Sequence, residues 1–345
     1  MASDVNAPAI ATTEIRTPAV LHRARVLVRA LLDAHPVRVD DPIVDLALSE
    51  QVAPWLGMRV AQGRVSVPPA RAEQLVWEHQ MCLASNLVRA RAAGAFVEGC
   101  RRAGIALAPL KGMAMLQGLL ERGARSMSDV DLLVSAGRWH EACDLARSIP
   151  GAHDLDAPSR PYTTAHDYVR AFGLPSGVTL EVHRFICEES LFRIDHDGPD
   201  GLFARALTTS SGMSVLEEGD LFLALAAHAA KHTFELPMRS FLDGIVLMMR
   251  GRLDFDQLWP RARTWHMERA LRLWLQALAA LAPSLAPLAD DYVVPPLAGP
   301  VWSHTSEGVA WQRFLRMAWI SDRPLDWTRH VATRALFRLR DAIAG

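Results

Sequence analysis

Two aspartates one residue apart, Asp129 and Asp131, stand in the segment SMSDVDLLV, a short way after the pair Lys111-Gly112. On a strand alternate side chains share a face, so both carboxylates point one way while Val130, Leu132 and Val134 turn to a core. Carboxylates roughly 7 Å apart at their Cα atoms, at about 3.3 Å of rise per residue, repel unless a cation lies between them. Hard oxygen ligands of this kind suit Mg²⁺, which takes one or two carboxylates plus substrate phosphates. The plain alternative is an exposed edge strand with two solvated acids. Lys111-Gly112 opens a helix, where free N–H groups and the helix dipole favour an anion. Gly112 lets a phosphate approach the backbone, Lys111 neutralises its charge, and Arg125 or Ser128 would do the same or bond to it. An anion cradle beside a divalent-metal site is what phosphoryl or nucleotidyl transfer requires.

A third carboxylate lies in VTLEVHRFI, where Glu181 shares a face with Thr179 and His183. It would complete a three-carboxylate, two-metal site or serve as the base for the acceptor's proton. His183 would orient Glu181, contact the nucleotide, or be a satisfied half-buried histidine. Farther on, His228 and His232 have the i, i+4 spacing of a helical zinc pair, without an obvious third ligand. Lys231 and His232 contacting phosphates is one reading of that helix, and packing is the other. The only lysines are Lys111 and Lys231, every other basic side chain being arginine. A lysine kept in such a background suits a site that needs a compact point charge. Asp243, four residues after Arg239, reads as a helix-face ion pair.

The elements that must hold these groups follow from periodicity. Helices are expected over Val20–His35, Pro42–Leu56 and Arg71–Ala103, with GRVSVPPARAEQ as a loop. Ile105–Leu110 reads as a buried strand, Met113–Arg122 as a helix, Ser128–Val134 as the carboxylate strand, and Gly137–Ser148 as a helix capped by Ser135. HDYVRAFGL and VTLEVHRFI flank Pro175-Ser176-Gly177 as a hairpin. The acidic run Asp195–Gly201 is a loop with loose likeness to a calcium site, lacking the closing glutamate. Helices then cover Leu216–Phe234, Pro237–Arg250, Phe255–Leu281, Ser306–Ile320 and Trp327–Ile343, with a Pro-rich linker over Pro283–Pro300. Tryptophans of the C-terminal half (Trp259, Trp265, Trp274, Trp302, Trp311, Trp319, Trp327) cement helix packing or line an acceptor pocket.

Composition narrows the class. At 345 residues, half of them apolar and with net charge −1, the chain can bury a sizeable core and has no general field for nucleic acid. Four separated cysteines without a CxxC pair fit a reducing cytoplasm. The N-terminus lacks the apolar core of a secretory signal, and no apolar run reaches the roughly 20 residues of a membrane helix. Walker A, G-x-S-x-G and G-x-G-x-x-G patterns are missing.

The ordered set Leu110-Lys111-Gly112, Arg125, Asp129, Asp131, Leu132-Leu133-Val134, Leu180-Glu181, His183, His228, Lys231 and His232 resembles the bacterial uncharacterised nucleotidyltransferase family of the DNA polymerase beta superfamily, over roughly residues 75–250. The resemblance implies an α+β fold: a small mixed β-sheet of the polymerase beta type, flanked by extensive N- and C-terminal helices. Together with the periodicity along the chain, this divides the sequence into a loose tail over 1–17, a helical region over 18–104, a nucleotidyltransferase core over 105–190 and a helical region over 191–345. It implies Asp129, Asp131 and Glu181 as catalytic and metal-binding residues, with Mg²⁺, or Mn²⁺ in its place. Lys111, Gly112, Arg125, Ser128, His183, Lys231 and His232 would bind the nucleotide and its phosphates. The substrate would be a nucleoside triphosphate and the acceptor a small metabolite, a protein side chain or an RNA end. Where the wider superfamily has Gly-Ser at the turn, this chain has Gly112-Met113, which removes one hydroxyl contact to phosphate. A catalytically impaired regulatory protein and a γ-phosphoryl transferase are the alternatives.

Overall fold

A computed structural model describes residues 18–155, 168–208, 213–288, 317, 320–329 and 331–333. The tail over 1–17, His166, most of the linker over Pro283–Pro300, Trp302, Trp311, Trp319 and most of the helices expected at Ser306–Ile320 and Trp327–Ile343 lie outside these residues.

The N-terminal layer comprises α1 (Pro18–Leu32), α2 (Asp41–Ser49), α3 (Ala53–Ala61) and α4 (Pro69–Ala103). A short parallel pair, β1 (Val37–Arg38) and β2 (Val65–Ser66), links their connections, so part of the expected loop is strand. The single helix expected over Pro42–Leu56 is two. Pro54 cannot supply the N–H that a continuous helix needs, and Gln51 at φ 60 turns the chain between α2 and α3. Asp40 caps α2 by accepting from the Ile43 N–H. Gly104, at φ 67, ends α4 in the left-handed conformation that glycine adopts at low cost.

The centre follows as β3 (Leu107–Pro109), α5 (Lys111–Met115), β4 (Asp129–Val134), α6 (Trp139–Ser148), β5 (His153–Asp154), β6 (Val169–Gly173) and β7 (Thr179–His183). The helix expected to run to Arg122 is the single turn α5, and the chain leaves it through Gly118 at φ 103. Ser135 makes no side-chain cap; a 3-10 turn over Ala136–Arg138 precedes α6. Among the described residues the main sheet has the order β3–β4–β7–β6–β5. β4 and β7 are parallel and the other pairs antiparallel, which makes the sheet mixed.

Beyond the sheet come α7 (Leu202–Arg205), the pair β8 (Leu207–Thr208) and β9 (Ser214–Val215), then α8 (Glu218–Lys231), α9 (Met238–Met249), α10 (Phe255–Thr264) and α11 (Glu268–Leu281). The helix expected over Phe255–Leu281 is broken at His266, φ 56, into α10 and α11. In the acidic loop Asp195 accepts from the Gly198 N–H at 2.8 Å, a turn-closing role. Among the described residues no helix is long and apolar enough to cross a membrane.

Alternation along the strands sends side chains into two cores. Val130, Leu132, Leu180, Val182 and Phe172 pack with Phe96 and Ala93 of α4 and Trp139 and Ala142 of α6. Leu133, on the other face of β4, joins the large core formed by the N-terminal helices and α8, α9 and α11. Asp129, Asp131, Glu181 and His183 share Leu133's face or sit beside it in register, so the sheet presents its polar residues toward α8 and α9. The four cysteines are free and buried.

Candidate active site

The parallel register of β4 and β7 sets Asp129 beside Thr179, Asp131 beside Glu181 and Leu133 beside His183. Neighbours in a parallel pair point the same way, so two acids of different strands meet without a loop. Asp131 is 3 % exposed. Its Oδ1 accepts from Lys111 Nζ at 2.5 Å and from His183 Nε2 at 2.9 Å. His183 Nε2 is also 3.2 Å from Glu181 Oε2, and Lys111 Nζ lies 3.8 Å from that oxygen. Nε2 therefore carries a proton, shared between two carboxylates, while Nδ1 is buried without a partner among the described residues.

Charge in this cluster is mutually supported. Burial opposes the Asp131 carboxylate, yet His183 and Lys111 outweigh it and hold its pKa far below the usual range. Burial likewise opposes charge on Lys111 and on His183, and the neighbouring acids raise both pKa values above normal. Asp129 is held differently: burial, then Asp131, raises its pKa, and its Oδ1 accepts from Ser128 Oγ at 3.0 Å.

The turn is bound to the strand that it serves. The Leu110 N–H donates to the Asp131 carbonyl at 3.0 Å, and Lys111 follows at φ 46, a left-handed conformation that costs a non-glycine residue on the order of 1 kcal/mol or more. A Cβ on Gly112 would meet Met127 Cγ at 2.8 Å and Arg125 Nη1 at 3.3 Å, which explains the glycine by close packing. Met113 is buried in the sheet–α4 core, away from the cavity. Because α5 is one turn, the anion-binding share of the helix dipole is small there, and the positive charge comes from side chains.

Those side chains line a cavity of about 330 Å³ between the sheet and α8–α9. Lys111, Gly112, Arg125, Ser128, Asp129, Asp131, Glu181, His183, Lys231 and His232 all border it. Lys231 Nζ donates to the Tyr168 hydroxyl and stands 4.5 Å above that ring. The His228 and His232 rings are 4.7 Å apart, and burial, then Lys111, drives the His228 pKa well below normal, so it is neutral. Arg125 is committed: its guanidinium forks onto Asp243, with Nε–Oδ1 at 3.0 Å and Nη2–Oδ2 at 2.8 Å, both groups buried. The expected Arg239–Asp243 pair is thereby replaced, because Asp243 spends its oxygens on Arg125.

Arg239, which no motif marked, also lines the cavity. Its Nη1 donates to Ser126 O and Oγ at 3.1 and 3.2 Å, while its Nε is buried without a partner among the described residues. Burial, then Arg125, lowers its pKa to about 10. One carboxylate, Asp243, thus serves two guanidiniums, and the surplus positive charge borders the same cavity as Asp129.

Asp131, Glu181 and His183 offer ligand atoms within 4.8 Å of one another. Two carboxylates and an imidazole are a donor set that fits a divalent cation. Asp129, expected in the metal set, lies outside this group and turns to Ser128, whereas His183 lies within it.

A family model described as "Uncharacterised nucleotidyltransferase" matches residues 39–283, a span that contains every residue of the cavity. Comparison with curated proteins and with solved structures gives no match.

Proposed function

Because the chain belongs to this nucleotidyltransferase family, whose members are transferases of phosphorus-containing groups, we propose that it moves a nucleoside monophosphate from a nucleoside triphosphate to an acceptor. An acceptor hydroxyl, phosphate or amine forms a bond to the α-phosphorus as the bond to the β-phosphate bridging oxygen breaks. Pyrophosphate leaves, and the acceptor's proton passes to a carboxylate. The convergence of Lys111, Asp129, Asp131, Glu181 and Lys231 on one cavity of nucleotide size carries this reading. The proposed framework is the polymerase beta-type core over 105–190 between helical regions 18–104 and 191–345.

Asp131 and Glu181 would hold Mg²⁺, or Mn²⁺ in its place, with Asp129 turning in from Ser128 and His183 either ligating or orienting Glu181. The bound ion would supply charge neutralisation at the phosphates and alignment of the nucleophile. The protein's own groups do the rest. Lys111 leaves Asp131 for the phosphates, Gly112 lets them approach, and Lys231 and His232 meet the nucleotide from α8. Glu181, the less enclosed carboxylate of the pair, takes the acceptor's proton. Arg125, fixed by Asp243, acts through its field.

The test is incubation with α-³²P- and γ-³²P-labelled triphosphates, Mg²⁺ and cell extract, comparing wild type with Asp129→Ala/Asp131→Ala. Label transferred only from the α position, and lost in the double variant, is the expected result. Transfer only from γ makes the protein a kinase, and binding without transfer makes it a regulator.

A further inference from the structure

The outward face of α4 is apolar where a solvated helix would be charged. The inward face packs through Leu75, Cys82, Asn86, Ala93, Phe96 and Cys100. On the opposite side Trp77 is 56 % exposed, Met81 48 %, Val88 49 % and Leu87 45 %, which is four of the eight large exposed apolar side chains among the described residues. Apolar exposure gathered on one helix marks an interaction surface.

Its spacing identifies the partner. Glu73, Trp77, Gln80, Ala84, Leu87 and Arg91 are all exposed and follow one another at alternating steps of four and three, the repeat of a helix-pairing seam. The seam is its own complement when reversed. A second α4 laid antiparallel, with its twofold axis between Gln80 and Ala84, sets Glu73 against the partner's Arg91, Trp77 against the partner's Leu87, and Gln80 against the partner's Ala84. The twofold repeats each contact. Large Trp77 then packs between branched side chains, and small Ala84 leaves room at the centre. Parallel pairing would instead oppose Glu73 to the partner's Glu73 and Arg91 to the partner's Arg91, which repel. Neither Glu73 nor Arg91 is engaged in an ion pair among the described residues. We infer that the chain forms an isologous dimer through antiparallel α4 helices, with a second copy of itself as the occupant of this face.

The inward face of the same helix holds the loop before Asp129. Asn86 Nδ2 donates to the Arg122 and Arg125 carbonyls at 2.6 and 2.8 Å, and His79 Nδ1 lies 2.9 Å from the Gly123 carbonyl. Pairing therefore stiffens the helix on which that loop rests.

Sedimentation velocity of the full chain at micromolar concentrations tests this, with circular dichroism verifying that each variant is folded. Wild type is expected to be a dimer and Trp77→Ser/Leu87→Ser a folded monomer. Glu73→Arg and Arg91→Glu alone each weaken the dimer by roughly tenfold, since each change acts twice across the axis. Combined in one chain, they restore it to within about threefold of wild type. A monomeric wild type overturns the inference, as does a dimer indifferent to Trp77→Ser/Leu87→Ser. Charge reversals that add rather than cancel overturn the antiparallel pairing.

Discussion

Asp131 receives both the Lys111 ammonium and the His183 N–H, so its removal strips two cationic partners of their acceptor as well as the proposed metal of a ligand. Asp131→Asn is expected to lower nucleotidyl transfer by at least about 10³-fold while the chain stays folded, read as label transfer beside a thermal melt. Arg239→Gln removes the guanidinium that has no carboxylate of its own among the described residues. It should weaken triphosphate binding by about tenfold, with Arg239→Lys recovering part of the loss, measured by calorimetry with a non-hydrolysable triphosphate. His196 offers a pH prediction outside the site. It is buried, and Nε2 accepts from the Ile186 N–H at 3.2 Å; burial lowers its pKa to about 4. Above about pH 6.5 both folded and unfolded forms are neutral and its contribution is fully present. As pH falls toward 4 the unfolded chain alone takes up the proton, and on the order of 3 kcal/mol is lost. Urea midpoints of wild type should therefore fall more steeply between pH 7 and 5 than those of His196→Gln.

The strands and α4 divide the work at the level of elements. β4 and β7 fix the spacing of the acids by register, and α4 fixes the loop leading into β4 through Asn86. Asn86→Ala leaves two carbonyls without their donor and should cost about 1–3 kcal/mol, with a loss of transfer rate at temperatures where the protein remains folded. Much of this level was readable from residue order. Alternation in SDVDLLV and TLEVH told which side chains share a face, and Gly104 and Pro175-Ser176-Gly177 marked real boundaries. The break at His266 was not readable, because a non-glycine residue at positive φ leaves no local signature and is held there by packing, whereas Pro54 was a local mark of the break between α2 and α3. His183 as a partner of Asp131 depended on β4 lying parallel to β7. Arg239 was hidden for a similar reason: its surplus charge exists only because Arg125, 118 residues from Asp243 in sequence, has taken that carboxylate.

For the molecule as a whole, the sheet is held between α4–α6 on one face and the C-terminal helices on the other, and the cavity lies at the second junction. That wall is tightly fitted. A Cβ on Gly244 of α9 would meet Trp274 Cζ2 at 2.5 Å, and Trp274 is fully buried. Gly244→Val should push α9 from α11, lowering stability by about 1–3 kcal/mol and weakening nucleotide binding together, as read by melting and calorimetry. The Arg125–Asp243 bridge also imposes a timetable on synthesis. At about 5–20 residues per second, the ribosome releases β4 and β7 well before α9. Throughout that interval the nascent chain possesses its acids, while the Arg125 guanidinium lacks Asp243 and the cavity's far wall lacks α9. A message cut short before Asp243 therefore yields a chain with the carboxylates of a transferase and an Arg125 guanidinium that its buried bridge no longer holds in place.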